Sequence, residues 1–224
     1  MRHSLGSAVD KAEALQMLLQ GTHSLGVPLS KDAGEKLLLL GDELARWNRK
    51  VNLTAIADPI QVLEKHFADS LAVFPEVKSA ATLLDIGSGG GFPGIPLKMA
   101  VPLLDVTLVE SSSRKAAFLK HALVTLGLHN GIRALQARAE GEPECEGIPR
   151  GEVVISRALH APENWVNLGK RYVTREGRVI AMLGSKWSVL QLESIAKNNQ
   201  GTVAIHPYCL PFSGARRAFA VFRF

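Results

Sequence analysis

The chain has little that would seat it in a membrane or cross-link it. None of its 224 residues fall in a run of roughly 18 consecutive apolar residues, the length a membrane helix requires. The opening "MRHSLGSAVDKAEALQ" carries Asp10 and Glu13 where a secretory leader needs an apolar centre. Only two cysteines occur, Cys145 in an acidic loop and Cys209 near a late strand, and neither has metal-ligand spacing around it. No metal and no disulfide are expected. Aromatic residues are sparse at 6%, no segment repeats, and no low-complexity linker divides the chain. These absences describe a cytoplasmic globular protein, expected to be a monomer with no membrane partner. The 46% of hydrophobic residues is enough for one large core. The balance of 26 basic against 21 acidic residues gives +5 and a pI near 9.4, which suits a polyanionic partner and equally suits none.

Two regions differ in periodicity. Residues 1 to 77 read as a helical extension: Asp32 can cap a helix with Glu35 three positions on, and Leu37, Leu40, Leu44 and Trp47 recur at helical spacing. A second helix is expected after Asp58, with Pro59 in its first turn and Ile60, Leu63, Phe67, Leu71 and Phe74 in one continuous stripe. Residues 78 to 224 instead alternate. Strands are expected at 82–87, 105–110, 132–137, 152–156 and 178–184, separated by helices at 94–100, 112–127, 162–173 and 186–198. That order predicts a doubly wound α/β domain, Rossmann-like, with a seven-stranded and mostly parallel sheet. The last two strands, 202–209 and 217–223, are too close for a helical crossover and should form an antiparallel hairpin.

The densest signal is "LLDIGSGGGFPGIPLKMA", residues 83 to 100, where a buried strand ends in an acid and a glycine loop opens a helix. Such a loop lets backbone amides approach a ligand and permits positive φ. It reads in two registers. Asp85-x-Gly87-x-Gly89-x-Gly91 is the acid-plus-glycine pattern of S-adenosylmethionine-dependent methyltransferases, whereas Gly89-x-Gly91-x-x-Gly94 satisfies the dinucleotide fingerprint. Spacing favours the first: the second would run the strand through Gly87 and Ser88 and open the helix on Phe92-Pro93-Gly94. Glu110 ends the second strand 25 residues after Asp85, where a carboxylate can accept both ribose hydroxyls of an adenosine ligand in either class. Capping the next helix is its simpler role.

At this point the chain resembles a known family, the bacterial 16S ribosomal RNA guanine-N7 methyltransferases, also named glucose-inhibited division protein B or small-subunit rRNA methyltransferase G. The resemblance rests on "RWNRKVNLTAI" at 46–56, "EKHFADSLAV" at 64–73, "DIGSGGGFPGIPL" at 85–97, "ESSSRKAAFL" at 110–119 and "ISRAL" at 155–159. It implies a class I methyltransferase fold, S-adenosyl-L-methionine as cofactor, and 16S ribosomal RNA or the small ribosomal subunit as partner. It also implies a cofactor site at Asp85, Gly87, Gly89, Gly91 and Phe92, with Glu110 on the ribose, Ala139 and Glu140 near the adenine, and Arg157 at the end of the fourth strand. Two departures stand out. Leu183-Gly184 occupies the place of a usual Lys-Gly pair, with Lys186 slightly later, and Gly214-Ala215-Arg216-Arg217 replaces an Asp-Glu-Arg-Arg segment.

The chain lacks the Asn/Asp-Pro-Pro-aromatic tetrapeptide that cradles an exocyclic amine, and neither cysteine has the Pro-Cys or Thr-Cys context of pyrimidine-attacking enzymes. Both absences suit an acceptor that is already a lone pair, such as guanine N7. His66, Asp69 and Ser70 have the residue types of a hydrolytic triad, but at i, i+3 and i+4 on one helix they are neighbours rather than a relay. Asn52, His66, Asp69, Arg157, Arg216 and Arg217 are the substrate candidates; no residue is singled out as catalytic. Trp47 and Asn48 could meet a splayed base, although a Trp ending an apolar stripe is more often core. Arg46, Arg49, Lys50, Lys65, Arg114 and Lys186 could complete a basic rim with the three arginines. Two rival functions remain, a nicotinamide-dependent reductase and a non-catalytic S-adenosylmethionine-binding protein.

Overall fold

The computed structural model describes residues 10–157, 161–184 and 186–224. The first nine residues of the expected helical region, the Ala158-Leu159 end of "ISRAL" and Ser185 lie outside the described residues. Helices α1 (Lys11–Ser24) and α2 (Lys31–Asn48) come first. Ser30, still extended, caps α2 by accepting from the Ala33 N–H at 3.2 Å. Asp32 is therefore not the cap: its own backbone is already helical, and its carboxylate pairs with Lys36 at 2.8 Å instead. Leu37, Leu40 and Leu44 are buried, and Trp47 is half-buried, edge-on to Phe118 and tilted against His121.

The second expected helix is broken. Asp58 caps α3 (Pro59–Val62) through the Gln61 N–H at 2.9 Å, but Leu63–Ala68 form a π-helical turn before α4 (Asp69–Leu71), and α5 (Phe74–Val77) follows a further turn. A π turn closes on residue i+5 and so inserts about one residue, roughly 100° of rotation. Leu63, Phe67 and Leu71 stay buried, whereas Ile60 lies before the turn and is 39% exposed. The apolar stripe is consequently not continuous.

The remaining chain builds β1 (Thr82–Ile86), β2 (Asp105–Glu110), β3 (Ile132–Gln136), β4 (Gly151–Arg157), β5 (Val173–Leu183), β6 (Thr202–Cys209) and β7 (Arg216–Arg223). They form one seven-stranded sheet in the order β3-β2-β1-β4-β5-β7-β6. The pairings from β3 to β5 are parallel, and β7 runs antiparallel to both β5 and β6, as the hairpin requires. Between strands lie α6 (Gly94–Ala100), α7 (Ser113–Thr125), the short and unanticipated α8 (Pro143–Glu146), α9 (Pro162–Tyr172) and α10 (Val189–Asn198). β5 starts at Val173 rather than 178 because Gly177 lies so close to the Glu152 carbonyl that a Cβ would stand 2.4 Å from it, which lets the strand reach Gly151 across a register shift.

Alternation along the strands divides the core between two faces. On one, Leu83, Val106, Ile155 and Ile180 pack with Leu37, Leu40, Leu44 and Phe67 of the helical extension and Ile95 and Phe118 of α6 and α7. On the other, Leu84, Val154 and Val179 pack with Trp165, Tyr172, Leu192 and Phe222. The first cluster is continuous between extension and sheet, so the two should unfold together. Leu40→Ala is expected to lower stability by about 2–5 kcal/mol. Urea denaturation should show one transition, coincident by far-UV circular dichroism and by tryptophan fluorescence; two separated transitions would mean that the extension melts on its own.

Candidate active site

Asp85 belongs to the face shared with the extension, one residue before the end of β1. Its carboxylate is fully buried, and Oδ2 accepts from the Gly94 N–H at 3.0 Å, tying the strand end to the start of α6. Among the described residues Oδ1 has no partner. Burial pushes this carboxyl up to about 7, against the opposing pull of the Gly94 and Ser88 hydrogen bonds and the Arg157 charge. The loop between them is held from β2: the Gly87 and Ser88 N–H groups both donate to the Val109 carbonyl, at 2.8 and 3.1 Å.

The glycines of the loop have different reasons to be glycine. Gly87, Gly89 and Gly91 all have positive φ, at 76°, 54° and 90°. At Gly89 a Cβ would meet nothing nearer than the Gly87 carbonyl at 3.9 Å, so space lies open in front of it. At Gly91 and Gly94 a Cβ would strike Ile95 at 2.4 Å and Leu108 at 2.3 Å, so both serve packing inside the protein. β1 ends at Ile86 and α6 opens at Gly94, so the strand does not extend through Ser88 as the dinucleotide register demands. The open cradle is thus the turn around Gly89. Beside it, Glu110 accepts from the Gly89 N–H at 3.0 Å through one oxygen and from the Ser112 N–H at 2.8 Å through the other. It holds the loop and the start of α7 at once, and each oxygen keeps a further lone pair for a ligand hydroxyl. Ala139 is half-buried and Glu140 exposed in the segment after β3, where Glu140 pairs with Arg138.

The other wall is polar but closed. Arg157 ends β4 with its side chain only 19% exposed. Its guanidinium donates to the Lys65 carbonyl at 2.6 Å and to His66 Nδ1 at 3.0 Å, lies 5.1 Å from the Phe92 ring centroid, and faces Asp69 at 3.8 Å. His66 stacks on Phe92 with centroids 4.5 Å apart and 6° between planes. Because Arg157 can only donate, His66 Nδ1 must accept, which places the ring proton on Nε2, 2.8 Å from Thr54 Oγ1. Burial and the Arg157 charge hold this imidazole down to about 3. Asp69 accepts from the Tyr208 hydroxyl at 2.7 Å, and the Ser70 hydroxyl bonds back to the His66 carbonyl, so the three triad-like residue types form no relay.

The substrate candidates therefore occupy different settings. His66, Asp69 and Arg157 meet in one buried network, Arg217 is half-buried and Arg216 exposed at the start of β7, and Asn52 is exposed in the loop after α2. Asn48 organises that loop, its side chain accepting from the Leu53 and Thr54 N–H groups and donating to the Thr54 carbonyl. Glu64, Thr54 and Tyr208 were not apparent from sequence. A buried acid within an apolar stripe is the one local hint, and it applies only to Glu64.

Two buried groups bias stability in opposite directions. His66 is neutral in the native state yet takes a proton below pH 6.5 when unfolded, so its contribution is complete above that value and is lost as pH falls toward 3. Asp85 is protonated up to about 7 in the native state but only to 3.8 otherwise, so its contribution falls as pH rises through that window. His66→Gln removes the first and keeps the second. The destabilisation of the variant relative to wild type should shrink on going from about pH 6 to about pH 4.5, by up to about 1.4 kcal/mol per unit. Denaturant midpoints at several pH values measure this, and a difference that stays constant would mean an unperturbed imidazole.

The family model for rRNA small subunit methyltransferase G matches residues 33–207. A ribosomal RNA small subunit methyltransferase G of Myxococcus xanthus (strain DK1622) is 53% identical over 215 residues, covering 96% of this chain and 99% of the relative. Its namesake in Anaeromyxobacter sp. (strain Fw109-5) is 44% identical over 207 residues, covering 92% and 95%. Among solved structures, a SAM dependent methyltransferase from Aquifex aeolicus superposes with a TM-score of 0.55 at 15% identity, over 76% of this chain and 95% of that one. A predicted O-methyltransferase from Agrobacterium tumefaciens gives 0.55 at 18% identity, over 69% and 80%, and both likenesses concern the fold alone. With the acid-and-glycine register seated on β1 and relatives matched over nearly their whole length, the chain belongs to the rRNA small subunit methyltransferase G family.

Proposed function

We propose that the protein transfers the methyl group of S-adenosyl-L-methionine to N7 of a guanosine in 16S ribosomal RNA. The observation that carries this reading is the open turn at Gly89 beside the Glu110 carboxylate, in a chain of this family. S-adenosyl-L-methionine supplies an electrophilic methyl on a cationic sulfur. Gly87, Gly89 and Gly91 shape the loop that receives it, Glu110 accepts the ribose hydroxyls, Ala139 and Glu140 flank the adenine, and Phe92 and Arg157 close the wall behind. Asp85, with one oxygen unpartnered, suits a cationic ligand, which favours its ionised form. Residues 78–224 form the cofactor-binding domain and contribute Arg216 and Arg217 to the substrate side, and the extension at 1–77 contributes Asn52, His66 and Asp69. The partner is 16S ribosomal RNA or the small ribosomal subunit, met in the cytoplasm by a monomer. No helix among the described residues is long and apolar enough to cross a membrane.

Guanine N7 carries a lone pair and no proton at neutral pH, so the chain has to align it rather than deprotonate it. His66 fits a positioning role better than that of a base. Its Nδ1 lone pair is taken by Arg157, and its Nε2 proton faces Thr54.

Labelled S-adenosylmethionine with ribosomal RNA, followed by chemical cleavage at 7-methylguanosine, tests the reaction and reports the position. Binding without any transfer would instead support a non-catalytic role, and bound reduced nicotinamide would support a reductase. Single-turnover rates should be nearly flat from about pH 6.5 to 9, whereas an obligatory base gives a tenfold rise per unit below its pKa. A steep limb that vanishes in His66→Gln would overturn the proton-free mechanism. Gly89→Val fills the open space and imposes a branched side chain on positive φ, so calorimetric affinity for S-adenosylmethionine should fall at least about tenfold. Unchanged affinity would move the site elsewhere.

A further inference from the structure

The C-terminal hairpin is fastened at two points to a segment far from it in sequence, the π-helical turn and the start of α4. The Glu64 carboxylate is buried, and its Oε1 accepts from the Phe212 and Ser213 N–H groups at 2.8 and 2.6 Å, gripping the backbone of the hairpin turn. Phe212 is seated against Gly21 of α1, where even a Cβ would come within 2.9 Å of its ring. Nearer the sheet, the Tyr208 hydroxyl donates to Asp69 Oδ1 at 2.7 Å, while Asp69 Oδ2 faces Arg157 at 3.8 Å. Glu64, His66 and Asp69 thus come from one short segment and reach the hairpin turn, Arg157 and Tyr208 in that order. Tyr208 pairs across the hairpin with Arg217.

We propose that Tyr208 is a positioning residue, which through Asp69 fixes Arg157 against Phe92 and so registers the arginine-bearing hairpin with the glycine loop. This rests on the reading that the loop binds S-adenosylmethionine. Among the described residues one carboxylate, Asp69, faces Arg157 at ion-pair distance, and the Tyr208 hydroxyl orients it. Burial raises the pKa of Asp69, and the hydrogen bond from the Tyr208 hydroxyl opposes that shift by favouring the ionised carboxylate. Without it, Asp69 loses its nearest hydrogen-bond donor and takes up a proton more readily, and Arg157 then faces a neutral group. The charged and titratable groups around Asp69 are Tyr208 on β6, Arg157 on β4, Arg217 on β7 and Glu64 on its own segment; burial and Glu64 raise its pKa, and Tyr208 and the two arginines lower it.

Tyr208→Phe removes the hydroxyl and keeps the ring against Phe219. Affinity for S-adenosylmethionine, measured by calorimetry on the full chain across the pH range in which wild type is folded, should differ least from wild type at the alkaline end. At the acid end it should be weaker by about three- to tenfold. Asp69→Asn should show the weaker affinity throughout. An offset of Tyr208→Phe that is the same at every pH would make the hydroxyl merely structural, and no offset at all would leave it uncoupled from the loop; either result overturns the proposal. Wild type and Gly89→Val separate its failure from that of the cofactor site. If wild type binds and Gly89→Val does not, an unaltered Tyr208→Phe refutes the positioning role alone. If wild type fails to bind, both readings fall together.

Discussion

A guanidinium taken out of water must find its hydrogen bonds inside the protein, because burying a charge without partners is among the most unfavourable events in folding. Arg157 is in that position at the end of a strand whose preceding residues are buried. Its needs dictate what stands around it. A carbonyl comes from Lys65, a ring nitrogen from His66, a counter-charge from Asp69 and an aromatic face from Phe92. Three of these four belong to one short stretch, and the fourth belongs to the glycine loop. The extension is therefore bound to the sheet by a polar requirement as well as by the shared apolar face.

That requirement also makes sense of the π turn. An α-helix places residues three and four apart on neighbouring positions of one face, and a strict helix through 59–74 would keep Ile60 in the core stripe. The wider turn at Leu63–Ala68 leaves Leu63 and Phe67 inside while Glu64, His66 and then Asp69 are also buried, each toward a different partner. The exposure of Ile60 is the other side of that rotation. Polar groups buried this densely are stable only when each is satisfied, and here Glu64, His66, Asp69 and Ser70 all are.

The sheet was legible because a strand records its own environment: Leu83, Val106 and Ile155 alternate with Leu84, Val109 and Val154 toward two faces, and turn residues mark each end. Local signals failed where the deciding contact was not local. Nothing in residues 59–74 announces the π turn, since the partners that stabilise it lie at Arg157, Tyr208 and Phe212. Asp32 and Ser30 are equally good capping types, and only the backbone conformation at Ser30 separates them. The glycine loop was legible as a loop but not glycine by glycine. Gly89 and Gly91 look alike in sequence, yet one faces open space and the other the Ile95 side chain.

Two buried carboxylates feel the charge of Arg157. Asp69 is oriented by a hydroxyl from the hairpin, and Asp85 by an amide at the start of α6, so each links the guanidinium's field to a different element. Burial raises the pKa of both, and the Arg157 charge lowers both. One cation thus acts on two acids. Asp69 is the group that Tyr208 holds, so the hairpin's hydroxyl and the guanidinium at the end of β4 meet at one carboxylate.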